Sequence, residues 1–414
     1  MEVAILSERT IRTVKSSAPI LRERGVDIAR RMYEILVEDE DEDVKALFDQ
    51  SHHGEAGAQP RALAGALHAY AENVDRLDEL VPMIERIAQK HVALGVLPEH
   101  YPVVGRALLG ALREVLGQAA TDEVMEAWAE AYEFLAGILT AGEHELYDQR
   151  RAAPGGWTGW REFVVARVVR ESEAIASFHL DPADGGPVMD FAPGQYLTLR
   201  LDVPGHGPLV RNYTVSSAPG RDSCRITVKR EDAPPDAPHV PPGLASGFLH
   251  DHVGPGARLQ VRAPAGDFAY QERDSCPVVL LSRGIGLTPM LSILETLVEG
   301  GSARPVWYVH AALDGRHHAM KERVRALAAA HEAVRSVVFY ELPAEDDVQG
   351  EDYDVAGRIT LDWIKRSLPV DEADFYFCGS KDFMQMLALG LRALGVREDR
   401  IHFEFFGPAQ DLYA

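Results

Sequence analysis

The hydrophobic period changes twice along the chain, and this confines it to three successive architectures. From residue 1 to about 150, apolar residues recur at helical spacing in long amphipathic runs rich in Ala and Leu, with breaks around Ser51 to Gly57 and Pro98 to Pro102. This predicts an all-α domain over 1–150. The stretch Arg151-Ala152-Ala153-Pro154-Gly155-Gly156 reads as a linker over 151–156, whose Pro and Gly end the last helix. Over 157–268 the period falls to two, as in Tyr196-Leu197-Thr198-Leu199-Arg200-Leu201 and Cys224-Arg225-Ile226-Thr227-Val228-Lys229, with Pro and Gly turns between. That pattern predicts an antiparallel β-barrel. Over 269–414, short apolar runs at 278–281, 306–309, 337–340 and 375–378 alternate with helical segments. They read as buried parallel strands of a doubly wound α/β sheet.

Charge and composition exclude several classes. A formal net charge of -22 over 414 residues argues against a nucleic-acid partner, which demands clustered Lys and Arg. No stretch approaches the roughly 18 uncharged apolar residues of a membrane span. Residues 1–10 include Glu2, Glu8 and Arg9 and hold no long apolar core, so no signal or transit peptide is evident and a cytoplasmic protein without an obligatory membrane is expected. Cys224, Cys276 and Cys378 are scattered, without metal-ligand or redox-pair spacing. The acidic run from Glu38 to Asp43 reads as a solvated helix end or loop.

Two segments carry chemistry in the second half. A flavin presents a polar ring edge and a charged pyrophosphate, so its site needs backbone donors, a hydroxyl and a cation. Arg211-Asn212-Tyr213-Thr214-Val215-Ser216-Ser217 supplies these along one strand, with Arg211, Tyr213 and Val215 on one face and Asn212, Thr214 and Ser216 on the other. A surface strand ending in a Ser-rich turn would look the same. Downstream, the apolar run 278–282 leads into Gly284-Ile285-Gly286-Leu287-Thr288-Pro289, where missing side chains let backbone approach a pyrophosphate at a helix start. Thr288 is expected to cap that helix and Pro289 to occupy its first turn. A lone Gly-x-Gly is weak, and the usual dinucleotide fingerprint wants a third Gly where Pro289 stands.

In the helical half, Ile84, Ile87 and Ala88 precede His91 by seven, four and three positions, so all four share a face. A histidine there suits a core position or a metal ligand. Upstream, Val26, Ala29, Tyr33 and Leu36 share a face that aims Tyr33 inward, Phe48 sits at a helix corner, and Gln59, Leu63, Ala66 and Tyr70 follow helical spacing.

With Pro193-Gly194-Gln195-Tyr196 ahead and Ala263-Pro264-Ala265-Gly266-Asp267-Phe268 behind, the flavin strand resembles the ferredoxin-reductase-like flavoenzymes. So do Gly284-Ile285-Gly286-Leu287-Thr288-Pro289-Met290 and Tyr376-Phe377-Cys378-Gly379-Ser380. The resemblance implies FAD contacts from Tyr196, Arg211, Asn212, Tyr213 and Thr214. It also implies nicotinamide-nucleotide contacts from Gly284 through Pro289, with Ile285, Gly286 and Leu287 in the loop and Cys378 near the nicotinamide. In His402-Phe403-Glu404-Phe405-Phe406-Gly407-Pro408 it puts Phe406 on the flavin with Glu404 close by, and Phe405 and Gly407 beside them. Arg283 and Ser380 depart from the pattern, which commonly has Ala and Pro there.

As an ordered set the helical residues resemble a globin, and nearly the whole chain resembles the flavohaemoglobins, fusions of globin and reductase. The segments Ile87-Ala88-Gln89-Lys90-His91, Pro154-Gly155-Gly156-Trp157 and Phe406-Gly407-Pro408 carry that resemblance. It implies haem b with His91 as proximal iron ligand, Phe48 packed on the porphyrin, and Tyr33 with Gln59 as a polar distal side beside Leu63. Tyr101 and Glu145 match the proximal partners of the ligand histidine. A carboxylate accepting the other imidazole N–H makes such a ligand more electron-rich. The implied activity is nitric oxide dioxygenation, turning nitric oxide and O2 into nitrate with electrons passed from NAD(P)H, NADH favoured, through FAD, without a protein partner. Two other readings fit the same motifs: a reductase of peroxides, flavins or ferric compounds, and an oxygen or nitric oxide sensor or store.

Overall fold

The computed structural model describes residues 6–38, 58–233, 240–272 and 276–406; Phe48 and Gly407 lie outside them. Residues before Ala152 form one compact unit and Ala152–Phe405 another.

The first unit is helical: α1 Glu8–Glu38, α2 Ala58–Asn73, α3 Val81–Leu94, α4 Tyr101–Leu116 and α5 Asp122–Ala152. Helix α1 buries Val14, Leu21, Ile28, Met32 and Leu36, a stripe at helical spacing that enters one core with Leu108, Leu112 and Trp128. Trp128 is 1% exposed and its indole N–H donates to Ser17 Oγ at 3.1 Å. Truncating it to Ala would cost about 3–5 kcal/mol. Helices α1 and α2 run antiparallel: Lys15 pairs with Asp75 at one end, and a Cβ on Gly25 would stand 3.1 Å from that of Ala64 midway. Tyr33 hydrogen-bonds Gln59 at the other end. The close approach at Gly25 thus sets the register that delivers Gln59 to Tyr33.

The second unit opens with β1 Arg161–Arg170, β2 Ile175–Pro182, β3 Tyr196–Val203, β4 Gly207–Thr214 and β5 Cys224–Lys229, then α6 Leu244–His252 and β6 Arg258–Ala265. Their antiparallel order is β4-β3-β6-β1-β2-β5, and a bridge between Val215 and Ile226 joins the two edges, closing the barrel. Leu197, Leu199 and Leu201 fill its interior, whereas Arg200 and Asp202, on either side of Leu201, face solvent. Helix α6 adds Ala245 and Leu249 to that core.

The remainder is β7 Val278–Arg283, α7 Leu287–Glu299, β8 Val306–Ala312, α8 Lys321–Ala330, β9 Val334–Tyr340, β10 Val355–Ala356, α9 Leu361–Ser367, β11 Asp374–Cys378, α10 Lys381–Ala393 and β12 Ile401–Glu404. All the strand pairs are parallel, in the order β10-β9-β8-β7-β11-β12. Val278 and Leu280 feed the core on one face of this sheet, Val279 and Leu281 the core on the other. Covering both faces is what makes these strands continuous apolar runs. Connections leave β7 toward β8 on one side and return through β11 on the other, so the switch point, where open α/β sheets bind ligands, lies at the carboxyl ends of β7 and β11.

Candidate functional site

His91 lies in the last turn of α3, which Gly95 ends in the left-handed conformation at φ 79°. Val96 N–H then donates to His91 carbonyl at 2.9 Å, fixing the backbone that carries the ring. Its Nδ1 lies 2.7 Å from Glu143 Oε1 and 3.1 Å from Tyr101 Oη, and Tyr101 Oη also donates to Glu143. Burial, with Glu143 beside it, pushes the Tyr101 phenol up, so it stays a donor. An ionised carboxylate has no proton to give, so the hydrogen resides on His91 Nδ1. Nε2 therefore keeps its lone pair, the form a metal binds.

The carboxylate in this position is Glu143, not Glu145. Glu143 is 2% exposed and shares the inward stripe of α5 with Leu139 and Arg150. Glu145 is exposed and, among the described residues, accepts a 3.2 Å hydrogen bond from Gln149. Two positions along a helix rotate a side chain by about 200°, which carries Glu145 to the solvent side.

Tyr33 is 6% exposed on the buried face of α1. Burial pushes its phenol up to about 12, and the hydrogen bond with Gln59 offsets part of this, so the group remains protonated near neutrality and able to donate. Leu63, one turn beyond Gln59, packs against the helical core.

The flavin motif lies where the barrel brings distant segments together. Tyr196 pairs with Thr214, Thr198 with Asn212, and Leu199 with Arg211 across β3 and β4. Gln195 links all three flanking motifs: its carbonyl accepts from Val215 N–H, its amide donates to Gly266 carbonyl at 3.2 Å, and its Oε1 accepts from Ala192 N–H. A Cβ on Gly266 would stand 3.0 Å from the Tyr196 ring at φ +119°, so glycine keeps that ring's face clear. Arg211 is partly buried, which lowers its guanidinium pKa, and Tyr213 packs on the barrel core.

At the switch point, Gly284 adopts φ +56° and Gly286 approaches the end of β11 so closely that a Cβ would stand 2.1 Å from Cys378 carbonyl oxygen. Leu287, Thr288 and Pro289 are buried and anchor the start of α7. Thr288 does not cap it. Gly286 holds that position, and Thr288 Oγ1 donates instead to Ile285 carbonyl at 3.1 Å, because it already lies inside the first turn. Cys378 is wholly buried, and burial together with Glu404 pushes its thiol well above the usual range, so it packs as an apolar group. Glu404 stands beside Cys378 in the β11–β12 register, Phe405 packs on the sheet core, and Phe406 is 46% exposed. Arg283 spans to Glu341 through two contacts of 2.5 and 2.9 Å and donates to Ser380 Oγ at 3.0 Å.

Family models match three segments: Globin over 39–139, the oxidoreductase FAD-binding domain over 162–270 and the oxidoreductase NAD-binding domain over 280–388. The chain is 44% identical over 412 residues to a flavohemoprotein of Bacillus cereus (strain ATCC 10987 / NRS 248), covering 99% of this chain and 100% of that one. The chain belongs to the flavohemoprotein family. A flavohemoprotein of Bordetella parapertussis is 46% identical over 405 residues, covering 97% of this chain and 99% of that one. Among solved structures, the flavohemoglobin of Malassezia yamatoensis with bound FAD and heme superposes with a TM-score of 0.81 at 25% identity, covering 97% of this chain and 100% of that one. The FAD/NAD-binding domain of nitric oxide dioxygenase from Vibrio cholerae O1 biovar El Tor is similar at 39% identity, with a TM-score of 0.54, covering 60% of this chain and 99% of that one.

This flavohemoprotein is accordingly an NAD(P)H-dependent oxidoreductase with haem and FAD as cofactors, and its fused domains need no separate protein to pass electrons between them. The residues present fit these groups. His91 offers a fixed lone-pair nitrogen, Gly266 spares the Tyr196 ring the crowding a Cβ would bring, and Gly286 gives the close backbone approach a pyrophosphate requires. No helix among the described residues is long and apolar enough to cross a membrane.

Proposed function

We propose that this flavohemoprotein is a nitric oxide dioxygenase, joining nitric oxide and O2 to nitrate. The observation that carries the proposal is the buried Glu143 carboxylate on His91 Nδ1, because a histidine made electron-rich in this way favours activating bound oxygen over storing it. When bound, haem supplies the iron and FAD splits a two-electron hydride donor into single electrons. His91 Nε2 is the iron ligand; Glu143 and Tyr101 hold its tautomer and orientation. Tyr33, steadied by Gln59, would offer a phenolic O–H to negative charge developing on oxygen, an electrostatic contribution that an apolar side chain such as Leu63 cannot make.

Tyr196, Arg211, Asn212, Tyr213 and Thr214 form the FAD site, joined by Glu404, Phe405 and Phe406. Gly284 to Pro289 and Cys378 hold the nicotinamide nucleotide. The domains are 1–150, 157–268 and 269–414 with a linker over 151–156. NADH is favoured as donor. Asp314, past the end of β8, accepts from the side chains of both Arg316 and His317 and keeps its negative charge, which disfavours a 2′-phosphate there. The substrates are small molecules, and the enzyme works in the cytoplasm.

Comparison of two activities of His91→Ala tests the proposal. Nitric oxide consumption should vanish while NADH oxidation by an artificial acceptor persists. Retention of nitric oxide consumption without the imidazole would refute it.

A further inference from the structure

Helix α7 carries the nucleotide loop at its start and, two turns on, an acid with no place in the reaction just described. Glu295 is 0% exposed on this helix. Its Oε2 accepts from Ala218 N–H at 3.1 Å and from Arg221 at 3.0 Å; its Oε1 accepts from Arg225 at 2.9 Å and from Arg323 at 2.8 Å. Ala218 follows directly on the flavin strand motif, and Arg225, from β5, also holds that motif's end by donating to Ser216 Oγ at 3.1 Å and to Ser216 carbonyl. One turn before Glu295, Ser292 Oγ donates to Ser217 carbonyl at 2.8 Å.

Burial on its own would raise the Glu295 carboxyl, but Arg225, Arg323 and Arg221 outweigh this and hold it below its ordinary value. It is therefore a buried anion meeting three guanidinium groups and a backbone N–H. Apolar packing would join the barrel to the α/β sheet without regard to small slides, whereas hydrogen bonds to a buried charge are directional and costly to leave unmade. Ser292 and Glu295 reach the same turn, Ser216 to Ala218, while Glu299 at the end of α7 adds a second contact to Arg221.

We infer that Glu295, seconded by Ser292, is a positioning residue for hydride transfer: it locks the nucleotide-bearing helix to the end of the flavin-bearing strand and so sets the register between nicotinamide and flavin. The inference rests on the assignment of those two sites but not on the reaction at haem. A reacting pair misplaced by 1 Å loses about a hundredfold in rate, so a loosened register appears in the chemical step and not in nucleotide affinity.

The test is anaerobic stopped-flow reduction of the flavin by NADH in full-length, flavin-replete Glu295→Gln and Ser292→Ala, with hydrogen exchange at the Ala218 amide measured on the same holoenzymes. The limiting rate of flavin reduction should fall at least about tenfold in Glu295→Gln and less in Ser292→Ala, with the Kd for NADH unchanged and Ala218 exchanging faster. If Glu295→Gln does not fold, Ser292→Ala carries both readouts. Faster Ala218 exchange with an unchanged limiting rate overturns the inference, as does a loss confined to NADH affinity. Wild-type protein that binds no flavin would instead overturn the site assignment beneath it.

Discussion

Replacing Glu143 by Gln removes one charge and keeps the shape of the side chain. The carboxylate is 2% exposed and takes hydrogen bonds from His91 Nδ1 at 2.7 Å and from Tyr101. A hydrogen bond to a charged group contributes about 1.5–3 kcal/mol and a neutral one about 0.5–1.5 kcal/mol, so each of the two should weaken by about 1 kcal/mol. The new amide also brings N–H donors against two existing donors, and an unsatisfied buried donor costs about 1–3 kcal/mol. A total loss of about 3–5 kcal/mol in global stability is expected from urea midpoints. The anion also favours the more positive ferric state through the imidazole. Losing about 1–2 kcal/mol of that preference raises the haem midpoint by about 40–90 mV, at about 59 mV per tenfold change for one electron. Glu145→Gln is the control, because its side chain is exposed and such substitutions stay within about 0.5 kcal/mol. Spectroelectrochemical titration reads both variants; a midpoint that moves with Glu145 and not with Glu143 refutes the proximal assignment.

Gly286→Ala would put a Cβ 2.1 Å from Cys378 carbonyl oxygen, forcing the loop back by about 1 Å, so reduction of the bound flavin by NADH should slow by about a hundredfold at normal flavin content; normal rates would show that the loop does not approach the nucleotide. Tyr33→Phe, which removes a charge-assisted hydrogen bond of about 1.5–3 kcal/mol, should raise the oxygen off-rate by roughly 10–150-fold in flash photolysis, and an unchanged off-rate removes Tyr33 from the distal role. Acid should destabilise the second unit, because burial lowers His310 to about 4 and His318, which His310 also disfavours, to about 2. The unfolded chain protonates both near 6.5, so stability present above that pH falls by about 1.4 kcal/mol per pH unit for each histidine, both contributing down to about pH 4; His318→Asn should roughly halve the slope of urea midpoint against pH, and a wild-type midpoint flat from about pH 7 to 5 would contradict the assignment.

How far the site could be read from sequence followed the range of the interactions involved. Tyr33 and His91 were legible because a helical stripe of apolar neighbours fixes which way a side chain points, and the flavin strand because alternation sorts its two faces. The proximal acid was misplaced because α5 is dense in charge around it, with Glu143, Glu145 and Asp148 within two turns. Helical phase would have found it, since Glu143 falls four residues after buried Leu139 and seven before buried Arg150. Thr288 fits the composition of a cap, but the tight Gly284–Gly286 turn starts the helix two residues earlier than a Thr288 cap requires. Glu295 was beyond reach of any local rule. An acid in a helix reads as a solvated face, and its arginine partners stand 28, 70 and 74 residues away.

Arg283 and Ser380 make the same point from the opposite side. In sequence they are two separate departures from the reductase pattern, 97 positions apart, and a cation beside Gly284 suggests a ligand for pyrophosphate. In the fold they are one feature: Arg283 Nη1 donates to Ser380 Oγ across the carboxyl ends of β7 and β11, while Nε and Nη2 grip Glu341, whose side chain is only 8% exposed. Glu341 is held below its ordinary pKa by Arg283 and so keeps the charge that commits the guanidinium. Proline at 380 would offer no hydroxyl to that contact, and alanine at 283 would leave Glu341 with Arg358 as its remaining ion-pair partner among the described residues. The two departures therefore fit as a linked pair that braces the strand ends on either side of the switch point. On the proposed assignment, the backbone of the glycine turn and the start of α7 are then the groups left to meet the phosphates.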